Sequence, residues 1–306
     1  MKTFFKVFIR TILYSLPVLL FYGYLEFRLS KLENSYSNKI KNFEKVKARC
    51  DVLILGNSQM LKGVNPSLIS KNAFNMAQVS QTLSVDKAIL EQFITKMPHL
   101  KVVVLGIGYT SFGEELENGQ EAWRLSFYKS HYGLDLNSNF EAKDYSYTLR
   151  YQAYEALKLC FKNFEVDLTK GYQSNGWLRM EGANHAKLSD NWAIIRARSH
   201  TKSLSHSGCL KNKQALIDLI NMAAKHGVSI VLVKPPIMEK YSKAFDLAWL
   251  NRNDSMLSVI KKETGLAVQL MNYSVNKIGF NDVDHLNEEG AKAFSTKIAE
   301  AIKNQK

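Results

Sequence analysis

Val52-Leu53-Ile54-Leu55-Gly56-Asn57-Ser58-Gln59 runs from four consecutive apolar residues straight into a glycine and three polar residues. A short apolar run without alternation suits a strand covered on both faces, as in a parallel sheet. Gly56 permits a tight exit, and Ser58 then stands at the start of the next helix, where unpaired N–H groups favour an oxyanion. Val102-Val103-Val104-Leu105 is a second such run, and Val228-Ser229-Ile230-Val231-Leu232-Val233 a third, closed by Pro235-Pro236. Between the first two, Val85, Ile89, Leu90, Phe93, Ile94 and Met97 recur at helical spacing, with Pro98 marking the end. Leu216, Leu219, Ile220 and Ala223 do the same before the third, and Gly227 supplies the helix cap. A weaker strand is expected at 266–270. A last helix is expected at about 287–302, with Ala291, Phe294, Ile298 and Ala301 inward. Apolar strands alternating with amphipathic helices predict an α/β sandwich on a parallel sheet.

The chain has 306 residues, 46% of them hydrophobic and 23% charged, which excludes a disordered or collagenous polypeptide. The formal net charge is +13. Residues 1–50 carry ten Lys/Arg against three acids, so more than half of the surplus belongs to the first sixth of the chain. There Lys2, Lys6 and Arg10 precede the uncharged stretch 11–25, and Phe4, Phe5, Val7, Phe8 and Ile9 extend it backwards. Roughly 20 helical residues cross a bilayer core, and residues 4–25 meet that length with Pro17 as a tolerated kink. Tyr22, Tyr24, Glu26 and Phe27 make no small-residue cleavage site, so the reading is an uncleaved signal anchor with a cytoplasmic N-terminus. Residues 1–27 are thus read as cytoplasmic tip and anchor, 28–50 as a basic stalk, and 51–306 as the α/β domain. Residues 113–210, rich in Tyr, Trp, Phe and Asn, break the strand–helix rhythm and are read as an insertion, partly helical near 145–161.

Cys50, Cys160 and Cys209 allow at most one internal disulfide, and their spacing suits no metal. Buried thiols are the expectation. His99, His131, His185, His200, His206 and His226 have no motif around them, and His226 suits a helix C-terminus. Trp123, Tyr128, Tyr172, Trp177 and Trp192 are read as core, with stacking on sugar rings as the alternative.

Ligands of open parallel sheets gather at the carboxyl ends of strands. Ser58 follows the first strand, and Asn281-Asp282-Val283-Asp284-His285-Leu286-Asn287 precedes the last helix. Asp282 can accept the imidazole Nδ1–H of His285, whose Nε2 can then take the Ser58 proton. That is the nucleophile, base and orienter arrangement of acyl transfer.

Gly56-Asn57-Ser58 and Asp282-x-x-His285 resemble blocks I and V of the SGNH (GDSL-like) hydrolases. Asn75-Met76-Ala77-Gln78-Val79-Ser80-Gln81-Thr82 looks like block II, and Pro235-Pro236 after a strand also suits the family. The resemblance covers 51–112 and 211–303. It implies a flavodoxin-like three-layer α/β/α sandwich with a mainly parallel sheet, here preceded by one transmembrane helix. It also implies catalysis by Ser58, His285 and Asp282, with Ser80, Asn75, Asn57 and Gly108 as oxyanion or substrate-binding residues and no cofactor or metal. Three departures stand out. Asn57 replaces the usual Asp, Ser80 replaces the block II glycine, and Leu105-Gly106-Ile107-Gly108-Tyr109 lacks the block III Asn. Loss of one oxyanion donor costs about 10²–10³ in rate.

Within that family the chain is similar to membrane-associated polysaccharide acyltransferases. The implied function is an O-acyltransferase or esterase, transferring or removing O-acetyl groups on cell-surface or secreted polysaccharide. The implied partner is a membrane-bound O-acyltransferase. The alternatives are a lipolytic esterase beside the membrane and a non-catalytic polysaccharide-binding scaffold. Nucleic-acid binding ranks last, because the body carries little excess charge and no recognition module.

Overall fold

The computed structural model describes residues 2–136, 141–151, 156–159, 168–265, 271–272 and 279–304. By its contacts the chain divides into two compact units, Met1–Asn38 with Ser126–Lys170, and Lys39–Leu125 with Gly171–Lys306.

The first unit is led by helix α1, Lys2–Ser30, which runs unbroken through Pro17. It is long and apolar enough to cross a membrane, and its most apolar window is not covered by the rest of the protein. Its C-terminal part is covered. Leu25 and Leu29 pack with Ala156, Leu159, Tyr147 and Tyr151. The Glu26 carboxylate accepts from Ser146 Oγ at 2.7 Å and from the N–H groups of Tyr147 at 2.8 Å and Thr148 at 2.9 Å. An anion there satisfies donors that the short helix Tyr147–Arg150 leaves open.

Helix α2, Ser35–Glu44, follows. The expected stalk is not a free tether over its whole length. Phe43 is fully buried, 5.1 Å from the Phe74 ring and 5.2 Å from the Phe93 ring. Lys39, one turn earlier on the same face, is buried as well, and its ammonium donates to the Ala77 carbonyl. Burial holds the Lys39 pKa well below the usual lysine value. A buried lysine within a basic stretch reads as surface in the sequence, which is why the packing was hidden.

In the second unit a five-stranded parallel sheet is built from β1 (Val52–Leu55), β2 (Phe74–Asn75), β3 (Val102–Gly106), β4 (Ser229–Lys234) and β5 (Met271–Asn272). The order is β2-β1-β3-β4-β5, with Leu53 opposite Phe74, Leu55 opposite Leu105 and Gly106 opposite Val233. The chain steps outward from β1 to β2 and then back across to β3. The topological switch therefore lies between the carboxyl ends of β1 and β3, where such sheets open a crevice. The strand expected at 266–270 lies outside the described residues, and β5 begins just after it.

Side chains alternate across the pleat, so every second strand residue meets a different layer. Val52, Ile54, Val102, Val104, Val231 and Val233 share one core with residues of four helices. These are α3 (Ser58–Gly63), α5 (Asp190–Lys202), α7 (Glu239–Ser242) and α9 (Glu288–Asn304). The intervening residues Leu53, Leu55, Val103 and Leu105 are equally buried. On their side α4 (Leu83–Phe93), α6 (His206–Lys225) and α8 (Leu247–Thr264) pack on one another. The result is the α/β sandwich on a parallel sheet expected from the pattern, in the three-layer α/β/α form that the resemblance implied.

One helix of the supposed insertion is core. On α5, Ala193 and Ala197 are fully buried, whereas Ile194 and Ile195 are 42% and 49% exposed. Its apolar stripe is made of alanines, so the usual hydrophobic periodicity points to the wrong face.

Candidate active site

The exit of β1 is set by packing. Gly56 has φ +126°, and a Cβ there would lie 2.8 Å from Cγ of the fully buried Met60. Asn57 caps α3, its Oδ1 accepting from Gln59 N–H at 3.0 Å, so that Ser58 becomes the first helical residue. The Gly56 N–H donates to Asp86 Oδ1 at 2.9 Å, and Gln81 Nε2 donates to the same oxygen at 2.6 Å. Asp86 on α4 thereby ties the β1 exit to the loop after β2. Burial pushes its pKa up to about 7, against the two donors that favour the anion.

A raised folded-state value means that Asp86 supports the fold fully below about pH 4 and that this support is lost as the pH climbs through about 7. Chemical denaturation at pH 5 and pH 8 should show the wild type losing stability across the interval, by ~2–3 kcal/mol at most. Asp86→Asn keeps an acceptor oxygen but cannot ionise, and it should flatten that slope.

The second half of the site is the loop before α9. Asp282 Oδ1 accepts from the backbone N–H of Asp284 at 3.0 Å and of His285 at 2.8 Å, folding the loop over its own carboxylate. The same carboxylate faces His285 Nδ1 at 2.9 and 3.0 Å. His285 Nε2 lies 2.8 Å from Ser58 Oγ. Burial of Asp282 opposes its ionisation, but His285, the Asp284 N–H and the Lys62 ammonium together hold the carboxyl well below the usual carboxylate range. An ionised Asp282 keeps the proton on Nδ1, which leaves Nε2 to accept from the Ser58 hydroxyl. His285 is 3% exposed and Asp282 8%, so water competes little for either bond.

Asp284 is held apart from this relay. Arg196 on α5 forks onto its carboxylate, with Nε at 3.2 and 3.3 Å and Nη2 at 3.2 Å. Gln59 Nε2 donates to the Asp284 carbonyl at 3.2 Å, joining the loop to α3. Asp282, Asp284 and His285 are the described residues whose ligand atoms lie within 4.8 Å of one another, as a cation would need. Each is already engaged, Asp282 with His285, Asp284 with Arg196 and His285 with Ser58.

Ser58, Ser80, Asn57 and Gly108 all line a cavity of about 630 Å³ over the carboxyl ends of β1, β3 and β4. Ser58 N–H heads α3, where a helix leaves its first donors without intrahelical acceptors. Ser80 has φ +55°, the left-handed region that favours glycine, and nothing among the described residues accepts its N–H. Gly108 N–H is taken by Ser111 Oγ at 2.8 Å. Asn75 is the correction. It is fully buried outside the cavity, its amide donating to the carbonyls of Met60 at 3.0 Å and Val64 at 2.9 Å while its Oδ1 accepts from Ala77 N–H at 3.0 Å. With both amide hydrogens committed, it braces β2 against α3 and has no donor to offer an oxyanion.

Sequence reasoning missed Arg196, His200 and Tyr241, all on the cavity wall. His200 Nδ1 meets the Tyr241 hydroxyl, and burial with the neighbouring Arg196 lowers the His200 pKa to about 4. Ala193, Arg196, Ala197 and His200 follow the i, i+3, i+4, i+7 rule of one helix face, and that spacing was the available signal.

The remaining aromatic residues behave as core or surface. Trp177 is buried and donates from Nε1 to Lys62 O at 2.8 Å, and Tyr128 is fully buried. None of Trp123, Tyr128, Tyr172, Trp177 and Trp192 lines the cavity. Cys50 and Cys209 are buried free thiols, and burial pushes Cys50 up to about 12, while Cys160 lies outside the described residues. His226 closes the last turn of α6, its Nδ1 3.0 Å from the Met222 carbonyl.

No protein-family model matches the chain, and no curated protein does. Among solved structures it is similar to a Bacteroides fragilis protein assigned as an acylhydrolase, with 9% identity and a TM-score of 0.40 over 87% of this chain and 94% of that one. It is also similar to a GDSL-like lipase from Bacteroides thetaiotaomicron, with 10% identity and a TM-score of 0.40 over 88% of this chain and 99% of that one.

Proposed function

We propose that the protein is a serine esterase or O-acyltransferase anchored by α1, its N-terminus cytoplasmic and its α/β domain extracytoplasmic, acting on O-acyl groups of a cell-surface or secreted polysaccharide. The observation that carries this reading is the continuous relay from Ser58 Oγ through His285 to Asp282, with links of 2.8 and 2.9 Å, facing a cavity at the switch point of the sheet. Ser58 Oγ attacks the acyl carbonyl carbon while His285 Nε2 takes its proton. The oxyanion rests on the N–H groups of Ser58 and Ser80. As the tetrahedral species collapses, the ester C–O bond breaks and His285 returns the proton to the departing alcohol. A second hydroxyl, from a sugar or from water, then gives its proton to His285 and attacks the acyl-enzyme; the acyl–Oγ bond breaks and His285 returns the proton to Ser58 Oγ. Glu114, Asn118 and Gln120 on the cavity wall offer hydrogen bonds to a polyhydroxylated acceptor, which favours sugar over lipid. A membrane-bound O-acyltransferase is the partner that would deliver the acyl group across the bilayer.

A fluorophosphonate probe tests the chemistry. Covalent labelling of the wild-type protein, mapped by mass spectrometry to the peptide containing Ser58, is the expected result. A folded protein that takes no label is the scaffold of the alternative reading. In the native host, His285→Ala should lower the acyl content of the polysaccharide, and unchanged acylation would point to the lipolytic esterase instead.

A further inference from the structure

Two carboxylates, not one, stand beside the imidazole. Asp282 touches His285 Nδ1, and Asp284 Oδ1 lies 3.7 Å from the same nitrogen. The Asp284 side chain is 2% exposed, so water cannot screen it, and its counter-charge comes from Arg196. Arg196 reaches across from α5, a helix outside the stretches that resemble blocks I to V. We propose that Arg196 is a positioning residue for the Ser58–His285 pair: by holding Asp284 in a forked ion pair it keeps this second carboxylate from binding the His285 proton. The inference rests on the serine esterase or acyltransferase reading of the site.

The charges facing this point come from every element packed around it. The loop contributes Asp282 and Asp284, α3 contributes Lys62, α5 contributes Arg196 and His200, and α7 contributes the Tyr241 hydroxyl. Further out, Lys187 stands near Lys62, and Glu114, its pKa raised by burial, stands near Arg196 and Tyr241; beside the imidazole, the two carboxylates are balanced by two cations, Lys62 and Arg196. Burial lowers the pKa of His200, and the Tyr241 phenol is pushed above its usual range by burial and by Asp284, so neither supplies charge at neutral pH. Removing Arg196 leaves one carboxylate in excess, 3.7 Å from the base. An unpaired buried carboxylate at that range stabilises the imidazolium, and a protonated His285 cannot accept from Ser58. An opposite charge within ~4–6 Å shifts a titration by about one to three pH units.

The experiment compares Arg196→Met, Arg196→Lys, Asp284→Asn and the double variant Arg196→Met/Asp284→Asn in the full chain in detergent. Two readouts are taken, the pH dependence of kcat/KM for p-nitrophenyl acetate and the NMR titration of the His285 ring. Arg196→Met should move the acid limb at least one unit to higher pH, a loss of about tenfold or more below the limb and little above it. Arg196→Lys, which keeps the charge, should recover most of that shift. Asp284→Asn leaves Arg196 facing the imidazole without its counter-charge and should move the limb the opposite way, which holds the test open even if Arg196→Met does not fold. The double variant should return close to the wild-type limb. An unmoved limb in Arg196→Met, a shift of Asp284→Asn in the same direction as Arg196→Met, or a double variant no better than Arg196→Met with a raised KM would overturn the proposal. The last outcome marks Arg196 as a substrate contact. The ring titration does not need turnover. A wild type that hydrolyses no ester while the NMR shifts follow the expected signs rejects the enzymatic reading and leaves the Arg196–Asp284 coupling standing.

Discussion

Ser58→Ala should drop ester hydrolysis by about 10⁴–10⁶-fold and abolish fluorophosphonate labelling. The substitution removes one hydroxyl whose bond in the resting protein is the 2.8 Å contact with His285 Nε2. Asn57 still caps α3 and Met60 still fills the space beneath it, so the melting curve should stay close to that of the wild type. A loss of activity with the fold intact separates a nucleophile from a helix-capping serine. The pairing of activity with thermal denaturation is therefore the measurement. Any residual rate reports cavity binding and the Ser58 and Ser80 N–H groups alone. Retained labelling at another residue would remove Ser58 from the mechanism.

The second large effect is expected at Asp282. Asp282→Asn keeps an oxygen for the N–H groups of Asp284 and His285, so the loop can still close. An amide donor now faces His285 Nδ1, and the imidazole shifts its proton to Nε2, where it can no longer accept from Ser58. A loss of about 10⁴ in kcat is expected, measured with the same aryl ester. The variant also separates stability from catalysis. Asp282 has a folded-state pKa below its unfolded value, so its contribution to stability is present above about pH 4 and drains away as the pH falls toward the folded value. Denaturation between pH 3 and pH 7 should show that acid-side loss in the wild type and much less of it in Asp282→Asn.

The parts of this molecule legible in its sequence are those governed by local rules. Val52–Leu55 and Val102–Gly106 are apolar on both faces because both are covered. Ser58 could be placed because a glycine and an N-cap fix the turn from a strand into a helix, and Asp282 with His285 because an Asp-x-x-His loop can close on itself. The parts that stayed hidden depend on tertiary neighbours. Asn75 has the right residue type in the right block, but its amide is consumed by two carbonyls that only the folded chain brings near. Arg196 sits in a stretch without hydrophobic rhythm because α5 packs through alanines. Lys39 looks like part of a basic tether and is instead enclosed beside Ala77. Ser80 is the instructive intermediate: the resemblance flagged a missing glycine, and the structure keeps the left-handed backbone that a glycine would have taken.

The bond from Lys39 to the Ala77 carbonyl bears on how the protein can be made without α1. A soluble version cut at the first strand, near Val52, discards Lys39 and Phe43 together. It leaves the Ala77 carbonyl without its donor and strips the cover from Phe74 and Phe93. Three residues beyond Ala77 lies Ser80, whose N–H is the oxyanion donor of the proposed mechanism. A truncated form that folds yet reacts poorly would then report a loosened loop, not the loss of α1. The shortest fair soluble form starts ahead of Lys39.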